Sequence, residues 1–100
     1  MEYLAWFFAG AFGCNAIPHL CAGLRGEPFP SPFATPRGVG NSSPLVNFLW
    51  GGGNAVACAA LVSLRPFAFG ANLPSLAFVA GACALGVYLS HHFGKVRQSK

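Results

Sequence analysis

The composition of this 100-residue chain excludes an ordinary water-soluble domain. Hydrophobic residues make up 54% of it and charged residues only 8%, whereas soluble domains average about 25% charged residues. The net charge of +4 also gives no nucleic-acid footprint, because the basic residues stand singly at segment ends and form no patch. A body this small cannot hide so much apolar surface from water. We therefore predict a single membrane domain over residues 1–100, with membrane lipid and no nucleic acid as a partner.

Three uncharged apolar segments predict an all-α integral membrane protein with three transmembrane helices. The first covers about residues 3–24, the second 44–64 and the third 73–93. Each is long enough to cross a hydrocarbon core of about 30 Å. Lipid offers no hydrogen-bond partners to the backbone, so these segments have to be helical. A long Pro-rich loop, residues 25–43, joins the first two helices, and residues 94–100 form a basic tail.

The sequence begins with Met1 and Glu2, just before the first apolar segment. A signal peptide would need a positively charged start, so we expect this segment to be retained as a membrane helix. Small residues recur at four-residue spacing in it and in the other two helices. They are Ala5, Ala9 and Gly13 in the first helix, Gly51, Ala55 and Ala59 in the second, and Ala82, Gly86 and Ser90 in the third. Small residues let membrane helices approach closely, so we predict these faces as helix-packing surfaces.

The loop contains prolines at positions 28, 30, 32 and 36. Proline fixes its own φ and favours extended geometry in the residue before it. Phe29 and Phe33 stand between these prolines and can reach the membrane interface. We predict them as contacts to a partner or to lipid, in a loop that is docked instead of disordered.

Within the second helix, three consecutive glycines, residues 51–53, should destabilise the helix unless something compensates. One explanation is close approach of a neighbouring helix. Another is a kink, or a surface for a flat ligand such as a pigment, a quinone or a lipid. The sequence favours the neighbouring helix, because small-residue contacts are the commoner use of glycine in membranes.

Four polar residues fall inside the first two helices. Asn15 and His19 are four apart and share a face, and Asn47 and Asn54 are seven apart in the second helix. Polar groups in lipid need partners, so we predict an interhelical network that fixes helix register. The alternative is that these four residues line a solute-binding path.

Histidines also leave open a haem or metal site, formed by His19 with His91 or His92 in the third helix. A histidine near a helix C-terminus has a simpler use, since it complements the helix dipole. The sequence therefore predicts no metal site and no cofactor, with haem, a pigment or a lipid as the alternatives.

Basic residues predict the orientation, since cytoplasmic loops carry an excess of Lys and Arg. Three crossings place the loop and the tail on one side, with five basic residues: Arg25, Arg37, Lys95, Arg97 and Lys100. The other side carries only Arg65. The expected location is a bacterial inner membrane, with the N-terminus outside and the C-terminus cytoplasmic.

The sequence contains no paired carboxylates and no recognisable nucleophile arrangement, so we expect no enzyme. The function that fits best is an accessory or structural subunit that packs against a larger membrane complex or against copies of itself. One alternative is a homo-oligomeric transporter or channel for a small solute. The other is a haem- or metal-binding membrane subunit.

Overall fold

Three long helices make up most of the chain in the computed structural model, which describes residues 2–100. Helix α1 spans Glu2–Leu24, α2 spans Pro44–Leu64 and α3 spans Leu73–Ser99. Each is long and apolar enough to cross a membrane, which confirms the all-helical class. The molecule is 41 Å long, close to the thickness of about 40–45 Å of a bilayer with its headgroups.

Side-chain caps define the starts of α2 and α3. Ser43 accepts a hydrogen bond from the backbone N–H of Val46 at 3.2 Å, and Asn72 accepts one from Ser75 at 2.9 Å. A proline follows each cap within the first turn, where its missing N–H costs nothing. Each cap satisfies a backbone donor that the first turn of a helix leaves without an intrahelical partner.

The third helix is longer than its apolar segment. We expected it to end near residue 93, before a separate basic tail, but α3 continues to Ser99. Gly94 alone does not stop a helix, and no proline follows it. The last turns also make tertiary contacts, since Val96 is buried and Lys100 Nζ donates to Asn41 Oδ1 at 2.9 Å.

The connecting segment, residues 25–43, folds back onto the ends of the helices. Its two short strands, β1 (Phe29–Pro30) and β2 (Asn41–Ser42), pair in antiparallel fashion. Ser31 is buried between them and its hydroxyl lies 2.6 Å from that of Ser42. Residues at the tip return to α3, where the ring Nε2 of His92 lies 2.7 Å from the carbonyl oxygen of Gly38.

Helix α1 forms the centre of the bundle. Both α2 and α3 pack along it, and they make few contacts with each other. Glycines carry the closest approaches. A Cβ on Gly10 would overlap the carbonyl oxygen of Phe78 in α3, and one on Gly81 would overlap that of Phe7 in α1. Backbone therefore meets backbone at the crossing of α1 and α3, as small-residue packing in membranes allows.

The crossing of α1 and α2 uses two further glycines. A Cβ on Gly51 would stand 2.8 Å from the backbone N of Leu20, and one on Gly23 would stand 2.7 Å from that of Phe48. Gly10, Gly23 and Gly81 were not among the packing residues that the sequence singled out. They lie off the four-residue rows that the sequence analysis followed.

The predicted packing residues fall into four groups. Ala9 and Gly51 are fully buried, and Gly13 and Gly86 face cysteine sulfurs of a neighbouring helix, at 3.2 and 3.6 Å from the position of a Cβ. Ala5, Ala55 and Ala82 are half-buried, whereas Ala59 and Ser90 are exposed. Positions four residues apart shift gradually around the helix axis, so the residues at the ends of each row turn away from the neighbouring helix.

Candidate functional site: a cleft beside His19

Two hydrogen-bonded pairs join α1 to α2. Asn15 Nδ2 donates to Asn54 Oδ1 at 2.9 Å, and His19 Nδ1 lies 2.8 Å from Asn47 Oδ1. The structure thus brings together the four polar residues that the sequence singled out, as two pairs that lie one helical turn apart along α1 and two turns apart along α2. Their spacing along each helix makes this possible, because i, i+4 and i, i+7 positions share a face.

Asn47 connects these helices to the connecting segment. Its Nδ2 lies within hydrogen-bond distance of three carbonyl oxygens: Phe29 at 2.9 Å, Ser43 at 3.1 Å and Ser42 at 3.2 Å. The Asn47 residue is completely buried. One amide side chain therefore ties α1, the start of α2 and both short strands together.

Three aromatic rings lie close to the imidazole of His19. Its ring centroid lies 5.6 Å from Phe29, 6.2 Å from Phe93 and 6.3 Å from Trp50. Phe29 also packs on Phe93 at 4.7 Å and is half-buried. Phe33 contacts Trp50 but is 65% exposed, which leaves it on the surface.

A cleft of about 390 Å³ opens beside His19, between α2 and α3, with α1 as its floor. This volume lies within the range of about 300–1,000 Å³ that is usual for small-molecule sites. The connecting segment closes one end with Pro30 and Ser31. The helices contribute Phe8, Phe12, Asn15, His19, Trp50, Asn54, Leu85, Tyr88, Leu89, His92 and Phe93. The cleft is therefore apolar and aromatic, with a few polar groups at its floor.

The three histidines lie in different surroundings. His92 is engaged with the Gly38 carbonyl and stacks on Tyr88 at 5.8 Å, and His91 is exposed. Among residues 2–100, no group of three or more His, Cys, Asp or Glu side chains could hold a metal ion.

Comparison with protein-family models, with curated proteins and with solved structures found no match to this chain. Function must therefore be argued from the cleft and from the outward faces of the helices.

One such surface is the outer face of α2, which we define as Leu49, Gly52, Gly53, Val56 and Ala60. The buried residues of α2 face α1, and these five lie on the opposite half of the helix. Leu49 is 60% exposed and Val56 69%. Apart from chain neighbours and the backbone of α2 itself, no atom of residues 2–100 lies within 4 Å of where a Cβ on Gly52 or Gly53 would stand. Only Gly51 of the three consecutive glycines is used inside the bundle.

Proposed function

We propose that this chain is a small integral membrane subunit that associates through the outer face of α2 with a transmembrane helix of a larger complex or of a second copy. The open space at Gly52 and Gly53 carries this proposal. Each glycine costs a helix about 1 kcal/mol relative to alanine in water. Contacts within the chain offset that cost at Gly51 but not at its two neighbours. A partner helix that approaches closely would supply the missing contacts.

The proposed location is a bacterial inner membrane, with the connecting segment and the end of α3 on the cytoplasmic side. These two parts meet at one end of the molecule through Lys100 and Asn41. At the other end, Trp6 Nε1 donates to the carbonyl oxygen of Arg65 at 2.8 Å. The excess of basic residues at the first end supports this orientation.

The placement of the polar residues supports a structural role over solute transport. Asn15, His19, Asn47 and Asn54 lie between helices of one chain and bond one another. A path between copies of the chain would need polar groups on the outer faces, and the outer face of α2 carries only apolar and small residues. We propose no catalytic role for this chain.

A double substitution tests the association surface. Gly52→Leu with Gly53→Leu fills the open space on α2, and Gly94→Leu on α3 is the matched control, because it is also a helical glycine with open space around it. Both changes improve helix propensity. Native mass spectrometry, after extraction from the source membrane in mild detergent, should find the unmodified chain bound to other subunits or to copies of itself.

The double variant should be found alone, with a thermal stability at least equal to that of the unmodified chain. The Gly94→Leu variant should keep the full assembly. A double variant that keeps its partners would contradict the proposal, and so would an unmodified chain that is extracted as a single copy.

A further inference from the structure

The position of the proton on His19 follows from its neighbour Asn47. The Asn47 amide faces three carbonyl oxygens, so its NH₂ group must point at them and its Oδ1 at His19. Two acceptors cannot bond each other, and therefore the Nδ1 of His19 carries the hydrogen and donates it to Asn47. In the neutral imidazole the other nitrogen, Nε2, is then an acceptor with a free lone pair.

This free nitrogen belongs to the cleft. His19 is only 2% exposed and lines the cleft floor. The two ring nitrogens point away from each other, so Nε2 is directed away from Asn47. No hydrogen-bond partner within residues 2–100 meets it. An acceptor left without a partner in an apolar site is costly, which makes Nε2 the natural anchor for a ligand.

Asn15 supplies a second acceptor by the same reasoning. Asn54 Nδ2 donates to the carbonyl oxygen of Trp50 at 2.8 Å, which leaves Asn54 Oδ1 to accept from Asn15 Nδ2. The Oδ1 of Asn15 has no hydrogen-bond partner within residues 2–100, and Asn15 lines the cleft. It lies four residues before His19, which is a rise of about 6 Å along α1.

We propose that the cleft binds an apolar molecule of the phenol or quinol class, whose hydroxyl groups donate to His19 Nε2 and Asn15 Oδ1. His19 Nε2 and Asn15 Oδ1 are acceptors, so the ligand must bring donors to them. Trp50, which also lines the cleft, holds a buried donor, Nε1–H, with no hydrogen-bond partner within residues 2–100, and a hydroxyl oxygen of the ligand can accept from it. The walls of the cleft are aromatic, with Phe12 and Tyr88 among them, and aromatic side chains pack well against a ring. An oxidised quinone can accept from Trp50 Nε1 but leaves His19 Nε2 and Asn15 Oδ1 unpaired, so it is disfavoured relative to the hydroquinone. The site lies within one chain, so it does not depend on the association surface of α2.

Three matched probes test the donor requirement. They are 2-decylhydroquinone, its oxidised quinone and its dimethyl ether, each titrated calorimetrically into the full chain in lipid nanodiscs, without oxygen. The hydroquinone should bind saturably and about tenfold more tightly than the other two, the difference that a net gain of about 1.4 kcal/mol from hydrogen bonds produces. Equal binding of all three would overturn the proposal. Equally tight binding of 1-decanol would overturn the assignment to a ring.

Two variants show whether binding occurs in the cleft. Leu85→Trp fills it from α3, whereas Leu76→Trp makes the same change at an exposed position of the same helix. Hydroquinone binding should be lost in the first variant and kept in the second. Equal binding by both would place the ligand elsewhere and overturn the proposal.

The tautomer has a readout of its own. Nitrogen-15 spectra of the histidine rings should show His19 protonated on Nδ1 in the free protein, and the Nε2 resonance should move when the hydroquinone binds. A hydrogen found on Nε2 in the free protein would remove the acceptor on which the site depends. This measurement avoids replacing His19, whose loss would also break the contact with Asn47.

Discussion

Replacing Asn47 by alanine tests how much of the fold depends on one buried amide. Asn47 takes part in four side-chain contacts, one with His19 and three with backbone carbonyls. The NH₂ group has two hydrogens, so it makes two of the three carbonyl bonds at a time, and hydrogen bonds between membrane helices contribute about 0.6 kcal/mol each on average, or about 1.2 kcal/mol for two. The substitution also leaves the buried Nδ1–H of His19 without an acceptor, which costs about 1–3 kcal/mol. We expect Asn47→Ala to lower the free energy of unfolding by about 2–4 kcal/mol.

The assay is reversible unfolding in mixed micelles with increasing dodecyl sulfate, followed by circular dichroism. Asn41→Ala is the matched control, since Asn41 is exposed and its side chain bonds only Lys100. It should change the free energy of unfolding by less than about 0.5 kcal/mol. If the Asn47 and Asn41 variants unfold alike, the amide does not hold α1, α2 and the connecting segment together, and the reasoning about His19 loses its basis.

An aspartate at the same position separates hydrogen bonding from packing. Asn47→Asp keeps the shape of the side chain but turns a carboxylate oxygen toward three carbonyl oxygens. It should therefore destabilise the protein more than Asn47→Ala does. In Asn54→Asp the new oxygen faces one carbonyl, that of Trp50, so the decrease in the free energy of unfolding should be smaller than for Asn47→Asp. The same micelle titration checks both, and the reverse order would refute the assigned amide orientations.

Two further predictions concern helix contacts and caps. Gly10→Ala should lower the free energy of unfolding by about 1–3 kcal/mol, because the new Cβ overlaps the Phe78 carbonyl and forces α1 and α3 apart. Gly94→Ala, which meets no such obstacle, should instead raise the free energy of unfolding by up to about 1 kcal/mol. If both variants lowered the free energy of unfolding by a similar amount, the crossing of α1 and α3 would not be tight. Ser43→Ala should lower the free energy of unfolding by about 0.5–2 kcal/mol, because α2 loses its N-terminal cap. An unchanged midpoint of unfolding would show that water replaces the cap.

The helices were predictable because lipid restricts the choices of the backbone. An uncharged apolar run long enough to cross a bilayer has to be a helix, whatever its neighbours are. The pairing of Asn15 and His19 with residues of α2 was also accessible, because buried polar groups need partners and the four-residue spacing puts both on one face. These inferences need only local sequence and the properties of the solvent.

The rotation of each helix about its own axis could not be read in the same way. Small residues occur on every side of these helices, so spacing alone did not distinguish the contacts at Gly10, Gly23 and Gly81 from the rows that include exposed Ala59 and Ser90. The partner helix decides between them. Gly23 does lie four residues after His19, and the polar face of α1 could have pointed to it.

The connecting segment escaped sequence analysis for a different reason. Its position depends on the Asn47 amide and on the contact of His92 with the Gly38 carbonyl. Both join residues distant in the chain, and neither side chain is unusual in its own segment. The continuation of α3 to Ser99 has a similar origin, since Lys100 finds its partner at Asn41.

The central position of α1 has a consequence for biosynthesis. Since α2 and α3 pack on α1 and hardly on each other, we expect α2 and α3 each to find its docking surface, α1, already made when it leaves the ribosome. A nascent chain halted after residue 72 already contains every residue of the α1–α2 contact, including the pairs at Asn15 and His19. A chain deprived of α1 would leave two helices with no template on which to assemble.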